Sequence, residues 1–356
     1  MSLLWFYLAS FAIYFITGYI TNRMNPFYYN KIDKASYNGF FVSLILGLYF
    51  MEIALFRQIP LLGLISGNFS YGDEFGIPVV HTLLVSFNSF YCVYIFHQYI
   101  SKKDKTLMLQ FLLLILPYVL LLYRSNILGI FVSCFFIFLF STRISYKVVI
   151  ISVMSVLGIF YTFGFLGNLR SADGDSTYIA RASGATEDFL ESNVPKEFYW
   201  TYLYVASPVA NLQNNINYTK QDEGGWNELV LNECFPDFMI KFLPFVDRQE
   251  KSFYQINEFL NVGTIYVYGF SFLRWKGMIF MFFYFLFFIN LYYVVLYKTK
   301  QYRIVGMALL FNMIIFANFH NTISYSASSL QLLYPVIFSF MHFSSRKKHT
   351  LEEIKS

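Results

Sequence analysis

Residues 39–56 read GFFVSLILGLYFMEIALF, with a single charge, Glu52, near the far end. About 20 largely apolar residues are enough to carry a helix across the hydrocarbon of a bilayer. Stretches of the same kind recur on both sides of this one. They run over Ser2–Thr21, Gly39–Phe56, Ile77–Tyr99, Leu107–Tyr123, Ile127–Phe140, Val148–Gly167, Gly277–Tyr297, Ile304–Phe319 and Leu330–Phe343. The pattern predicts an all-α, polytopic membrane protein with about nine transmembrane helices. Composition agrees: 57% of the 356 residues are hydrophobic and only 13% are charged, about half the charge of an ordinary soluble domain. The 44 Phe and 30 Tyr suit the hydrocarbon and the headgroup belt respectively. The first span has neither a basic leader nor a small-residue cleavage site, so it reads as a helix and not as a signal peptide.

Lysine and arginine in the short connectors set the orientation. Arg23, Lys31 and Lys34 follow the first span, and Lys102, Lys103 and Lys105 follow the third. Arg143 and Lys147 follow the fifth, Lys298, Lys300 and Arg303 the seventh, and Arg346, Lys347, Lys348 and Lys355 the ninth. These alternate connectors share one side. The expectation is an N-terminus outside and a C-terminus in the cytoplasm. One outer connector, residues 168–275, is far longer than the rest and holds 14 of the chain's 21 acids. It divides the chain into an N-terminal membrane bundle (1–167, about six spans), an extracytoplasmic loop domain (168–275), a C-terminal bundle (276–343, about three spans) and a cytoplasmic tail (344–356). Within the loop, Glu197–Ala210 and Glu228–Phe245 look amphipathic, as short helices lying on the membrane surface do. Residues 257–274 are apolar but interrupted by glycine, which suggests a segment that dips back toward the bilayer.

No phosphate-binding glycine loop, HExxH or CxxC occurs, and no basic run with interleaved aromatics points to nucleic acid. Cys92, Cys134 and Cys234 form no framework, so neither a disulfide nor a cysteine metal site is expected. With no cytoplasmic connector long enough for a nucleotide domain, any reaction belongs to the membrane or its outer face.

The residues that could carry chemistry cluster at the outer ends of spans, where charge is expensive. Glu52 and Arg57 end the second span. Arg124 sits in the tight turn YRSN, Arg170 in GNLRSADGD just past the sixth span, and Arg274 just before the seventh. Arg181 lies deeper in the loop. A guanidinium fork fits a phosphate; the alternative for each is to snorkel to the interface. His81, about one turn into the third span, and His320, at the outer end of the eighth, titrate near neutrality when unperturbed; a satisfied structural histidine is the competing reading. Asp173 and Asp175 form DGD, which reads either as a base on the acceptor side or as a turn. Asp237, Asp247 and Glu258 carry the same plain alternative. The aromatic run 201–212, TYLYVASPVANL, offers stacking surfaces for sugars or a small core.

Several local patterns, in order along the chain, resemble the bacterial O-antigen polymerases of the Wzy type. They are FGIPVVH (75–81), Arg124 in its turn, GNLRS (167–171), TYLYVASPVANL, and Asn261-Val262-Gly263-Thr264 followed by Trp275-Lys276-Gly277. Members of the family commonly have more spans, and Asp-Phe-Gly where Ser271-Phe272-Leu273-Arg274 stands here. The resemblance implies a GT-C-like glycosyltransferase at the outer face of the bacterial cytoplasmic membrane. It would join oligosaccharide repeat units carried on polyprenyl diphosphate, with no cofactor and no metal. Donor and acceptor would both be lipid-linked glycans, and a flippase and a chain-length regulator would be neighbours in the bilayer. Arg124 and Arg170, then Arg181, Arg57 and Arg274, would hold the diphosphate. His320, Asp173 or Asp175 would serve as base. The competing readings are an O-antigen ligase, which differs in its acceptor, and a flippase or transporter for the lipid-linked oligosaccharide.

Overall fold

The computed structural model describes residues 1–24, 28–66, 75–143, 145–170, 175, 177–240, 252–257 and 260–341. Among these residues the chain is all-helical, with no strands. Each of the nine apolar stretches falls on a helix. They are α1 (Ser2–Asn22), α2 (Asn38–Phe56), α4 (Val80–Lys102), α5 (Lys105–Leu120), α6 (Arg124–Ser141), α7 (Tyr146–Arg170), α13 (Val267–Tyr297), α14 (Arg303–Phe316) and α15 (Ser326–Met341). A short α3 (Pro60–Ile65) follows α2. Five of these, α1, α2, α6, α7 and α13, are long and apolar enough to cross a membrane, while α5, α14 and α15 are apolar but shorter. Large apolar side chains on α1 and α7, among them Leu3, Leu4, Phe11, Ile150, Ile151 and Met154, lie exposed. An unbroken apolar surface of this kind is stable against lipid and not against water. The chain is a helical membrane protein.

Residue contacts divide it into two compact units. The first comprises 1–26, 144–288 and 313–326, and the second 27–143, 289–312 and 327–356. Both α13 and α14 contribute to each unit.

In the second unit α4 is the central helix. It is 23 residues long, yet Ser86, Asn88, Ser89, His97 and Gln98 interrupt its apolar sequence. All five are buried, because they hydrogen-bond within the unit. Ser89 meets the Tyr118 hydroxyl at 2.8 Å, and Asn88 Nδ2 donates to the Leu114 carbonyl at 3.0 Å, both on α5. At the other end α4 holds a non-helical stretch in place. His97 Nε2 lies 3.1 Å from the Asn30 carbonyl, the Ile32 amide donates to Ser101 at 3.2 Å, and the Ala35 amide donates to Gln98 at 3.3 Å. Buried backbone outside a helix needs such partners. Asp104 caps α5 by accepting from the Thr106 amide at 2.8 Å and pairs with Lys34 at 2.7 Å.

The first unit contains most of residues 168–275. The expected amphipathic segments are helices: α10 (Glu197–Tyr218), then α11 (Trp226–Glu233) and α12 (Asp237–Ile240). Residues 241–251 lie outside the described residues. Two five-residue helices, α8 (Tyr178–Ala182) and α9 (Glu187–Glu191), precede α10. Ile179, Ala180, Tyr199, Leu203 and Leu260 form a small core here, so part of the 201–212 aromatic run packs inward. Helix α10 lies against α7 so closely that a Cβ on Gly164 would stand 1.9 Å from the Glu197 carbonyl oxygen. Two buried asparagines of α10 hold the extended segment beyond residue 252. Asn211 donates to Leu260 and Val262 carbonyls (2.7 and 2.8 Å) and accepts from the Ile256 amide (2.8 Å). Asn215 exchanges two bonds with the Tyr254 backbone, each 3.1 Å.

Helix α13 is interrupted where the sequence leaves an interfacial arginine. Leu273 (φ −134°, ψ 19°) and Arg274 (φ 51°, ψ −134°) leave helical geometry. The chain doubles so tightly that a Cβ on Gly277 would lie 1.9 Å from the Gly269 carbonyl oxygen. A side chain at this φ is strained, and Arg274 itself is exposed.

Candidate functional site

A constellation of ionisable side chains in the second unit joins the ends of α2 and α4 to the start of α6. Glu52 lies in the last turn of α2 and is only 2% exposed. Its Oε2 is 2.7 Å from His81 Nδ1, in the first turn of α4, and His81 Nε2 is 2.8 Å from the Tyr123 hydroxyl, just before α6. Glu52 Oε1 accepts from the Ile77 amide at 3.2 Å. With a carboxylate that only accepts, Nδ1 would carry the hydrogen, and Nε2 of a neutral ring would accept from the Tyr123 hydroxyl. The result is a carboxylate–imidazole–hydroxyl relay, the arrangement that turns an imidazole into a general base toward an oxygen acid.

Its backbone frame is strained. Val79, directly before α4, has φ 67° and ψ −52°, and the Val80 amide donates to the Pro78 carbonyl at 2.8 Å. That is a γ-turn around a β-branched residue, a rare conformation. Leu122 has φ 60° and Arg57 has φ 51°. Tyr123 occupies an inverse γ-turn (φ −85°, ψ 64°), closed by the Arg124 amide on the Leu122 carbonyl at 3.0 Å. Gly76 (φ 98°) passes so near that a Cβ on it would be 2.4 Å from His81 Cγ. Such strain persists only where surrounding contacts impose it, and it concentrates at functional sites. Phe75 packs edge-on against His81 (centroids 5.9 Å) and against Phe56 (5.2 Å), and Tyr49 stands on another side of the ring (6.4 Å).

The sequence-derived candidates fall as follows. Arg57 is the C-terminal cap of α2, five residues past Glu52. Arg124 is the first residue of α6 and follows Tyr123 in the chain. Both therefore belong to the segments that build the relay. The other three arginines are in the first unit: Arg170 ends α7, with its side chain outside the described residues; Arg181 is exposed on α8; and Arg274 is exposed at the α13 break. Asp173, Asp247 and Glu258 lie outside the described residues. Asp175 accepts from the Thr177 amide and hydroxyl, both at 2.8 Å. Those bonds hold its carboxyl below the usual range, with a smaller contribution from the Arg181 charge. Asp237 is used similarly, accepting from the Ser326 amide at 3.1 Å and from its hydroxyl.

Comparison with protein-family models, curated proteins and solved structures gives no match. The site therefore has to be read from its own chemistry.

His320 follows α14 and packs edge-to-face on Tyr325 (centroids 5.2 Å). Burial pushes its imidazolium down to about 4, and its Nε2 has no hydrogen-bond partner among the described residues. Next to it, Asn321 donates to the backbone carbonyl of buried Glu233 (2.7 Å) and to its Oε2 (2.9 Å). This neighbourhood holds α11 against the 317–326 connection. Among the described residues no three of His, Cys, Asp and Glu gather as a metal site.

Sequence reasoning named Glu52 and His81 separately and missed Tyr123. A signal was present. Glu52 ends one span, His81 begins the next, and a hairpin of spans brings those two positions to the same level. Nothing local marks Tyr123 among 30 tyrosines.

Proposed function

We propose that this chain is a membrane glycosyltransferase that polymerises polyprenyl-diphosphate-linked oligosaccharide repeat units at the outer face of the bacterial cytoplasmic membrane. The single observation that carries the reading is the buried Glu52–His81 pair whose Nε2 receives a hydroxyl 2.8 Å away, with Arg124 the next residue after the one that supplies it. A sugar hydroxyl is the acceptor in such a reaction, and a diphosphate is its leaving group. One unit thus contains a base for the first and guanidinium groups for the second.

The step is a substitution at the anomeric carbon of the donor glycan. The acceptor hydroxyl gives its proton to His81 Nε2 as its oxygen bonds to that carbon. The bond from carbon to the diphosphate oxygen breaks, and the electron pair leaves on polyprenyl diphosphate. Glu52 stabilises the imidazolium that forms, and Arg124 and Arg57 offset the charge growing on the leaving group. The proton passes on to water or to the departing diphosphate. His81 takes the base role in this scheme because it is oriented by a carboxylate. His320 is held neutral by burial, and Asp175 is occupied by the Thr177 amide and hydroxyl. Arg170, Arg181 and Arg274 remain candidate diphosphate ligands, each open to its own substitution. The outer location rests on the lysine and arginine bias of the alternate connectors.

An O-antigen ligase would use the same chemistry on a different acceptor, so the test must read the product. Surface glycan from cells lacking the protein is compared on a gel with that of cells rescued by wild type, Glu52→Gln, His81→Gln or Arg124→Ala. Polymerase activity predicts that deletion collapses the ladder to single repeats on their final acceptor. The three variants, present at normal level, fail to restore it. Long polymer stranded on its lipid carrier would establish the ligase instead, and an unchanged ladder would remove both.

A further inference from the structure

Helix α10 has one edge that the small core of the first unit does not use. Between Phe198 and Tyr218 it contains no charged residue. Its buried side chains include Tyr199, Leu203, Ser207, Asn211 and Asn215. On the other edge Phe198, Tyr202, Val205, Val209 and Ile216 follow one another at spacings of four, three, four and seven, the period of a single helical face. None of the five is buried, and Tyr202 and Val205 are each 60% exposed. We infer that this edge lies in the lipid of one leaflet, where bilayer acyl chains fill the space beneath α10 between its contacts with α7 and α1. The inference does not rest on the transferase reading.

Contacts at the two ends of the helix set the direction of the edge. The apolar window of α7 is Tyr146–Asn168. At the end of that window Asn168 Oδ1 accepts from Trp200 Nε1 at 2.7 Å. Seven residues further in, Tyr161 packs against Phe198, with centroids 6.1 Å apart. Trp200 and Phe198 are about 200° apart around α10, so they stand on opposite sides of it. The Trp200 side therefore faces out of the bilayer, and the Phe198 side faces in. Seven residues of α7 cover about 10 Å, a depth to which interfacial helices bury their apolar faces. The Glu197 carbonyl oxygen, 1.9 Å from where a Cβ on Gly164 would stand, fixes α10 at this level. At the other end Gln213 Oε1 accepts from the Ser2 amide at 3.0 Å, and Ser2 opens the apolar window of α1. Helix α10 thus runs between the ends of two spans with its charge-free edge toward the hydrocarbon. That edge continues the exposed apolar surface of α1 and α7, which lipid already has to cover. The lysine and arginine bias makes the leaflet the outer one.

The test uses purified full-length protein in nanodiscs, with a nitroxide on Tyr202→Cys, Val205→Cys or Val209→Cys. Wild type treated alike gives the background from Cys92, Cys134 and Cys234, which are buried. Molecular oxygen concentrates in hydrocarbon, and a neutral nickel chelate stays in water. The expected result is more oxygen than nickel collisions at all three positions, and the reverse at Glu191→Cys, exposed on α9. An excess of nickel collisions at Tyr202→Cys and Val205→Cys would overturn the inference. Poor access by both reagents would also overturn it, since protein then covers the edge; spin–spin broadening in that case identifies a second copy. Loss of oxygen access only after a polyprenyl phosphate is added would assign the space to that tail and not to bilayer acyl chains. Val205→Asp supplies a measurement free of labels. A carboxylate forced into lipid lowers the Tm, whereas at a water-facing position it leaves the Tm unchanged. An unchanged Tm in nanodiscs sinks the inference.

Discussion

Gly76→Ala tests the site through a residue with no functional group of its own. The added Cβ would lie 2.4 Å from His81 Cγ, 2.6 Å from Nδ1 and 2.8 Å from Cβ. Carbon atoms rest at about 3.5 Å or more, so the ring has to retreat by about 1 Å. Retreat away from Gly76 lengthens the 2.7 Å bond from Nδ1 to Glu52 to about 3.7 Å, beyond any useful hydrogen bond. Misplacement of a catalytic group by about 1 Å costs about 10²-fold in rate. The backbone adds a second cost, since Gly76 has φ 98° and a Cβ there is unfavourable by about 1–2 kcal/mol. On the proposed transferase reading, the expected result is a folded protein with a somewhat lower Tm and about 1% of wild-type polymerisation. Nanodisc samples measured by thermal melting and by glycan chain growth check both numbers. Gly47→Ala, in α2 with nothing within 4 Å of its Cβ, is the matched control and should be silent. Gly76→Ala with wild-type Tm and more than half of wild-type activity would refute the claim that this ring position matters.

Three further outcomes follow from the first unit. Gly164→Ala sets a methyl 1.9 Å from the Glu197 carbonyl oxygen, which is backbone and cannot step aside, so overpacking should cost about 1–3 kcal/mol; Gly158→Ala, with open space around it, should not lower the Tm. Asn211→Ala removes three bonds to the backbone of residues 256–262 and should destabilise by about 3 kcal/mol, read as a lower Tm and earlier proteolysis within 252–262. For His320, burial sets the folded pKa at about 4, below an unfolded value of about 6.5. The unfolded chain then binds the proton first, so stability is full above pH about 6.5 and is lost as pH falls toward 4, by up to about 3 kcal/mol. His320→Phe should flatten that part of the Tm-against-pH curve, and an unchanged slope would show that another group carries it.

What could be read from the sequence depended on the range of the interaction. Apolar runs set the helices locally, so every expected span is helical and α1 and α2 begin and end within a residue or two of the expected limits. The α13 break falls where the glycine-interrupted 257–274 segment meets the span expected from Gly277, with Arg274 itself taking the positive φ. Arginines at span ends stood out because charge is rare there, yet the sequence could not say which share a unit. Arg57 and Arg124 belong to one, and Arg170, Arg181 and Arg274 to the other. That division is set by contacts between segments more than a hundred residues apart. Asp175 of the DGD stretch accepts from the Thr177 amide and hydroxyl, and the rest of that stretch lies outside the described residues. The relay was legible only in part: Glu52 and His81 stood out at span ends, but only the packing of α2, α4 and the α5–α6 link joins them to Tyr123.

Buried polar side chains in this chain divide into two kinds, and the distinction bears on function. Asn211, Asn215, His97 and Gln98 all bond backbone groups of irregular segments, and Asn321 bonds the last carbonyl of α11, that of Glu233. They satisfy donors and acceptors that would otherwise be stranded away from water, and an uncharged side chain is enough for that. Glu52 does one such task, at the Ile77 amide, but a glutamine oxygen would do it as well. A carboxylate confined to 2% exposure in a helix long and apolar enough to span a bilayer is costly to keep. At that position it meets the Ile77 amide at 3.2 Å and the imidazole at 2.7 Å. The other ring nitrogen of this histidine faces a hydroxyl. The strap residues explain how irregular backbone is tolerated in the two units. Glu52 and His81 differ from these straps in pairing a carboxylate with an imidazole.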